Sequence, residues 1–147
     1  MENKSDPDFR SAGLLRRLAA LFYDALLIVA VLIIVTGLVL VVTRGRPIAA
    51  ESPGWWLLGY RVLLVAVGCA YFGLFWTRGG QTLGMLAWKI RVVRDNGTPL
   101  RWRDAGLRLA AAVLSWLPVG LGYLWILVDR DRLTWHDRLS ATRVVRT

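Results

Sequence analysis

One carboxylate stands inside a long apolar stretch of the chain. Asp24 is the only charged residue among the 25 residues from Leu18 to Val42. An ionisable side chain in such a stretch costs about 2.5–3.5 kcal/mol to place in a bilayer, so it faces the interior of the helix packing and pairs with another group. Arg17, seven residues earlier on the same helical face, and Arg108 are the candidate partners. Two roles fit Asp24: binding a proton or cation during transport, or a buried ion pair that fixes helix docking.

A second polar group surrounds the only histidine. His136 could relay a proton near neutral pH, and Asp137 beside it could orient the ring. Adjacent residues seldom face each other in that way, however, and no recognisable nucleophile or set of metal ligands accompanies them. We therefore interpret His136, Asp137 and Arg138 as a charge-paired structural motif at the inner membrane surface. We expect no enzymatic activity, no cofactor and no metal site.

A glycine-rich run, Gly79–Gly84, is the third candidate for chemistry. Its sequence, GGQTLG, matches neither the Walker pattern nor the dinucleotide pattern of phosphate-binding loops. Gln81 or Thr82 is better placed as the N-cap of a short helix. We therefore expect a structural role for this run.

The elements that position these residues are mostly apolar. Of the 147 residues, 56% are hydrophobic and 20% are charged, whereas soluble domains contain about 45–50% apolar and 25% charged residues. Since a bilayer core needs about 20 apolar residues as helix, Leu18–Val42 and Trp55–Trp76 are predicted to span it. Trp55, Trp56 and Tyr60 form an interfacial aromatic belt. This pattern excludes an ordinary soluble, secreted or DNA-binding protein.

A third apolar segment, Leu109–Val128, is long enough to cross but holds Pro118, Gly120 and Gly122 near its middle. It is either a full span or a broken hairpin that returns to its starting side.

The positions of the 19 basic residues help to decide between these two, because such residues accumulate in cytoplasmic loops. A returning hairpin places sixteen of them inside and two outside, whereas a third full span places eleven inside and seven outside. The returning hairpin is favoured, with both termini cytoplasmic in a multi-pass protein of the cell (inner) membrane. The net charge of +9 is then explained without nucleic acid.

The basic loop between the second and third segments contains two further elements. Thr82–Trp88 is typical of a short amphipathic helix at the membrane surface. Strand formers followed by the turn Asp95–Gly97 predict a small β-hairpin in KIRVVRDNGTPLR, with an irregular loop as the alternative. Thr142–Val145 is similar to Ile90–Val93, so these two pieces could pair if both lie inside. The predicted fold is an all-α integral membrane protein with a small β-hairpin on its cytoplasmic surface, comprising a polar tail over residues 1–13 and a membrane domain over 14–147.

The ordered set of motifs resembles the RDD family of small bacterial membrane proteins, named for one arginine and two aspartates. The matching pieces are RRLAALFYDALL, which contains Arg17 and Asp24; GQTLG at Gly80–Gly84, leading into IRVVRDNG; and HDRL at His136–Leu139, followed by TRVV. The resemblance covers about residues 14–147 and implies that the name-giving trio is Arg17, Asp24 and Asp137. Gln81, Thr82, Arg108, His136 and Arg138 are candidate supporting residues. The chain departs from the family pattern at Trp88-Lys89 and Ser140-Ala141, neither of which touches the trio.

The resemblance implies membrane transport, since cation/proton exchange is ascribed to some members of a family whose molecular role is mostly unassigned. Two or three segments cannot enclose a pathway alone, so transport would require an oligomer. The alternative is a scaffold that assembles with another membrane protein and in which the trio is a structural clamp. The spans favour the scaffold, because their polar residues are few: Asp24, Thr36, Arg61 and Ser115. The lipid bilayer is the one partner that both hypotheses share, and the ion or ligand stays unassigned.

Overall fold

The computed structural model describes residues 11–49, 51–116, 121–129 and 133–147. In chain order its elements are α1 (Leu14–Val42), α2 (Gly54–Arg78), α3 (Leu83–Ala87), β1 (Ile90–Arg94), α4 (Trp102–Trp116), α5 (Leu121–Leu124), a 3₁₀ turn (Trp125–Leu127), α6 (Trp135–Leu139) and β2 (Thr142–Arg146).

Helices α1 and α2 are long and apolar enough to cross a membrane. They contain the two predicted spans and extend slightly beyond them. Helix α1 ends where Gly45 adopts a positive φ of 79° and its N–H donates to the carbonyl of Leu40 over 2.8 Å, a closure that favours glycine. Almost no residue in the most apolar part of either helix is buried inside the chain. Their side chains therefore need apolar surroundings that the chain itself does not supply.

The predicted short helix after the glycine-rich run is confirmed as α3. Thr82 is its N-cap, and the hydroxyl of Thr82 accepts a hydrogen bond from the N–H of Met85 over 3.2 Å. Gln81 has another function, because its Nε2 donates to the carbonyl of Ile90 over 2.9 Å. The cap and the amide together connect α3 to the start of β1.

The predicted local β-hairpin is wrong, although the pairing of the two similar pieces is confirmed. Strand β1 pairs antiparallel with β2, and Val92 lies opposite Val144. The chain does turn at Asp95–Gly97, where the N–H of Gly97 donates to the carbonyl of Arg94 over 2.8 Å. It then continues towards α4 through Pro99, which has no N–H to donate to a second strand. Strand β2 repeats the Arg-Val-Val-Arg sequence of β1, with both valines buried, and takes the pairing position.

The third apolar segment is not one continuous helix within the described residues. Helix α4 is described as far as Trp116, and α5 packs against it so closely that a Cβ on Gly122 would lie 2.6 Å from the Cβ of Ser115. The predicted break at Pro118 and Gly120 lies outside the described residues. Strand β2 then reaches the start of α1, where the N–H of Ala12 donates to the carbonyl of Val144 over 2.9 Å. The chain thus returns to the end of the fold at which α1 begins, as the hairpin alternative requires.

The apolar core lies at this same end. The buried apolar residues there come from α1, α2, α4, both strands and the segments just before α1 and α4, and pack as one cluster of Ala12, Ala20, Trp76, Ile90, Val92, Leu100, Ala105 and Val144. Five of the polar residues that the sequence singled out are buried as well: Asp24, Thr82, Arg108, His136 and Asp137.

Candidate functional site

Two buried carboxylates organise the polar interior at separate places. Asp24 is 1% exposed and Asp137 is fully buried. We call the first group, with Tyr71, Thr82 and Gly84, the Asp24 cluster. We call the second, with Arg17, Arg108, Thr134 and Thr142, the Asp137 cluster.

In the Asp24 cluster, three hydrogen-bond donors surround one carboxylate. One donor lies in α2, one in α3 and one in the segment between these two helices. Oδ1 accepts from the hydroxyl of Tyr71 over 2.8 Å and from the N–H of Gly84 over 2.9 Å, and Oδ2 accepts from the hydroxyl of Thr82 over 2.5 Å. These bonds tie α1 to α2 and to α3. The predicted pairing of Asp24 with Arg17 or Arg108 is wrong. Seven helical residues separate Arg17 from Asp24 by about 10 Å along the axis, and neutral donors occupy both oxygens.

The Asp137 cluster holds one carboxylate between two guanidinium groups. Nη1 of Arg17 lies 2.5 Å from Oδ2, and Nη1 of Arg108 lies 2.6 Å from Oδ1. Asp137 also completes a capping box with Thr134 at the start of α6. The cluster therefore joins α1, α4 and α6 through a single side chain.

The electrostatics of this cluster favour an ionised carboxylate. Burial alone would raise the pKa of Asp137, but Arg108 and then Arg17 hold that pKa well below its ordinary value. Two guanidinium groups thus share this one carboxylate. The guanidinium of Arg108 also lies over an aromatic ring, since its carbon is 5.4 Å from the ring centroid of Trp76.

His136 does not face Asp137 as a catalytic pair would. Its Nε2 lies 3.9 Å from Oδ1 of Asp137 and 2.9 Å from the hydroxyl of Thr134. Burial, and next the charge of Arg108, lower the pKa of His136 from 6.5 to about 3. The ring is therefore neutral near neutral pH and is poorly suited to relay protons there.

Stability should consequently fall as the solution is acidified. Below pH 6.5 the unfolded chain protonates His136, whereas the folded chain does so only near pH 3, so the unfolded state binds more protons across this window. The melting temperature in detergent, followed from about pH 7 to about pH 5, should drop for the wild type. A His136→Gln variant, which keeps a polar end near Thr134, should show a flatter profile. Parallel profiles for the two proteins would contradict this expectation.

Arg138 lies outside both clusters. Its Nη2 donates to Oδ1 of Asp129 over 2.5 Å, and its side chain is 51% exposed. The predicted supporting residues thus separate into Thr82 in the Asp24 cluster, Arg108 in the Asp137 cluster, His136 beside it, and Gln81 and Arg138 at other places.

Sequence reasoning missed several members of the clusters. Gly84 was visible only as part of the GQTLG motif, although a Cβ at that position would lie 2.2 Å from the carbonyl oxygen of Ala20. Tyr71 gave no signal, because an aromatic residue in a span is ordinary. Thr134 and Thr142 are neutral and left no charge pattern to follow.

A cavity of about 260 Å³ lies between the two clusters. Its walls are mainly apolar, with polar groups from both clusters, and include Leu18, Asp24, Phe72, Trp76, Arg108 and His136. Within the described ranges, no three His, Cys, Asp or Glu side chains are grouped so that they could hold a metal ion.

Comparison with known proteins places the chain in a family. No curated protein and no solved structure gives a significant match. The model of the RDD family matches residues 11–141, which include all three residues of the trio. The match covers nearly the whole chain, and the protein therefore belongs to the RDD family.

Proposed function

We propose that this RDD domain is a membrane-embedded scaffold, in which the trio clamps the inner ends of the helices and the apolar helix faces dock another membrane protein or a second copy. The observation that carries the proposal is that groups of the protein itself already form hydrogen bonds or ion pairs with both oxygens of each carboxylate. Asp24 accepts from three fixed donors, and Asp137 from two guanidinium groups. An exchanging carboxylate must instead release its partners in each cycle.

The helix surfaces support the docking part of the proposal. Large apolar side chains are exposed along both long helices, including Ile33 at 67% and Val65 at 66%. An apolar groove of about 520 Å³ lies between the outer parts of α1 and α2, where Trp56 and Val39 are among its lining residues. We place the domain in the cell membrane with both termini cytoplasmic, and assign it no enzymatic activity.

Cation/proton exchange is the second candidate, because Asp24 lines the cavity between the clusters. Exchange would require an oligomer, since two long helices do not enclose a pathway. It would also require that Asp24 lose hydrogen bonds which the folded chain provides.

A flux measurement separates the two functions. The purified protein is reconstituted in liposomes under a pH gradient, and proton release is followed on adding Na⁺, K⁺ or Li⁺. The scaffold predicts no cation-dependent release by the folded wild type. Release by the wild type that is lost in a folded Asp24→Asn variant would replace the scaffold with an exchanger.

Asp24→Asn should also lower the free energy of unfolding by about 1.5–3 kcal/mol, because hydrogen bonds to a charged acceptor are lost and the amide turns a donor towards other donors. Thermal unfolding in detergent measures the change. Thr36→Val is the matched control on the same helix, since it removes an exposed hydrogen bond to Tyr60 and should change stability little. Unchanged stability of Asp24→Asn would contradict the clamp at this position.

A further inference from the structure

Three exposed basic residues surround one end of the small sheet. Lys89 lies just before β1, Arg91 lies within it, and Arg146 ends β2. Arg146 is the register partner of Ile90, and the N–H of Thr147 donates to the carbonyl of Lys89 over 3.0 Å. The backbones of the three basic residues are therefore adjacent, and we call these residues the basic cluster.

The basic cluster differs from the other arginines of the sheet in its ion pairing. Arg94 pairs with Asp104, and Arg143 pairs with Asp95. No side chain of the basic cluster forms a hydrogen bond or an ion pair with another of the described residues. Exposed charges of one sign attract ions of the other sign. The positive charge at this end of the sheet is therefore available to an anionic ligand.

An apolar strip adjoins the basic cluster. Trp88, which directly precedes Lys89, contacts Tyr23 of α1 edge-on, with 6.4 Å between the ring centroids. Leu83 and Leu86 belong to α3, the helix that ends at Trp88, and all four of these apolar side chains are exposed. We call these four residues the apolar strip. Exposed apolar and basic side chains in adjacent positions are typical of segments that bind at a membrane surface.

The depth of these groups along α1 favours a lipid over a soluble ligand. The residues of α1 that contact α3 and Trp88 are Ala20 and Tyr23, which lie within the apolar run of that helix. Strand β2 instead meets Ser11 and Ala12, which come before this run. In a bilayer spanned by α1, the apolar strip is level with acyl chains and the basic cluster is level with head groups. A soluble acidic peptide would reach only the basic cluster.

The backbone at Lys89 supports a role for its side chain. Lys89 has a positive φ of 51°, a conformation that glycine adopts freely and lysine adopts rarely. The sequence also departs from the family pattern at Trp88-Lys89. The residues that supply a charge and an aromatic ring here are thus ones that neither the backbone conformation nor the family pattern requires.

We propose that the basic cluster and the apolar strip bind an anionic phospholipid from the leaflet beside them, with its phosphate at Lys89 and Arg91 and an acyl chain along the strip. The ammonium and guanidinium groups would donate charge-assisted hydrogen bonds to the phosphate oxygens. Trp88 and Tyr23 suit the boundary between head groups and acyl chains. The site does not depend on the scaffold function, because no second protein takes part in it.

Native mass spectrometry of the full chain in detergent tests the proposal. The protein is titrated with phosphatidylglycerol and, in parallel, with phosphatidylcholine of the same acyl chains, which has no net charge. Each basic side chain at an anionic lipid surface contributes about 1 kcal/mol, or about five-fold in affinity. For two such side chains we expect the first phosphatidylglycerol to bind about 25-fold more tightly than phosphatidylcholine. Equal binding of the two lipids overturns the proposal, as does displacement of phosphatidylglycerol by soluble polyglutamate, which would assign the basic cluster to a protein partner.

Two variants assign the site. Lys89→Gly removes one charge and relaxes the positive φ, so it should weaken phosphatidylglycerol binding about five-fold without lowering the melting temperature of the lipid-free protein. Arg91→Gln should weaken binding to the same extent, and it tests the site even if Lys89→Gly fails to fold. Arg46→Gln, which removes an exposed charge beyond the other end of α1, is the matched control and should bind normally. Wild-type affinity in both Lys89→Gly and Arg91→Gln would show that the lipid binds elsewhere and would overturn the proposal.

Discussion

Replacing Asp137 with asparagine should lower the free energy of unfolding by about 3–5 kcal/mol, the cost of removing one partner from a buried ion pair. Asparagine has nearly the same shape, so the loss arises from charge. Arg17 and Arg108 would face each other with side chains only 10% and 4% exposed and with no carboxylate between them. Because whole domains are stable by about 5–15 kcal/mol, the variant should melt far below the wild type in detergent.

An exposed ion pair on the sheet provides the control. Asp95 pairs with Arg143 over 3.1 Å, and their side chains are 47% and 33% exposed. Exposed pairs of this kind contribute about 0–1 kcal/mol, so Asp95→Asn should leave the melting temperature nearly unchanged. Equal, small effects of Asp95→Asn and Asp137→Asn would mean that the Asp137 cluster does not clamp the fold.

Gly84→Ala should have the second large effect. The added Cβ would lie 2.2 Å from the carbonyl oxygen of Ala20 and 2.9 Å from Cγ of Asp24, so α3 must move away from α1. Overpacking costs about 1–3 kcal/mol, and the displaced N–H also loses its 2.9 Å hydrogen bond to Asp24, which adds about 1.5–3 kcal/mol. Thermal unfolding in detergent measures the sum.

Gly106 supplies the matched control, because it lies within α4 and a Cβ there would meet no atom within 4 Å. Gly106→Ala should stabilise the protein by about 0.5–1 kcal/mol, since alanine loses less conformational freedom in a helix. A Gly84→Ala variant as stable as Gly106→Ala would show that α1 and α3 are not packed in close contact.

The sequence was most informative where the signal is local or repeated. Long apolar runs predicted α1 and α2, the position of Thr82 predicted a helix cap, and the similar pieces IRVV and TRVV predicted the pairing of β1 with β2. Each of these depends on a few neighbouring residues or on a visible repeat.

Which charged residues pair with each other could not be predicted in the same way. Arg17 pairs with Asp137 across 120 positions of the chain, whereas the nearer carboxylate, Asp24, is satisfied by two hydroxyls and a backbone N–H. Neutral donors leave no charge pattern, so counting opposite charges assigned Arg17 to the wrong aspartate. The prediction of a local hairpin was wrong for a related reason. The turn at Asp95–Gly97 is present, but the strand that pairs with β1 is β2, at 142–146, and not the segment that follows the turn.

The link between Arg17 and Asp137 also determines the order in which the protein can be completed. A ribosome makes Arg17 first, and 120 residues pass before Asp137 exists to neutralise it. Strand β2, which fastens both β1 and the segment before α1, is made later still. Both long helices are therefore synthesised before the carboxylate that pairs with Arg17 exists, and contacts between such distant residues form slowly. The end of the fold at which α1 begins can therefore close only after Asp137 and β2 have been synthesised, and a nascent chain that stops before Asp137 cannot make these contacts.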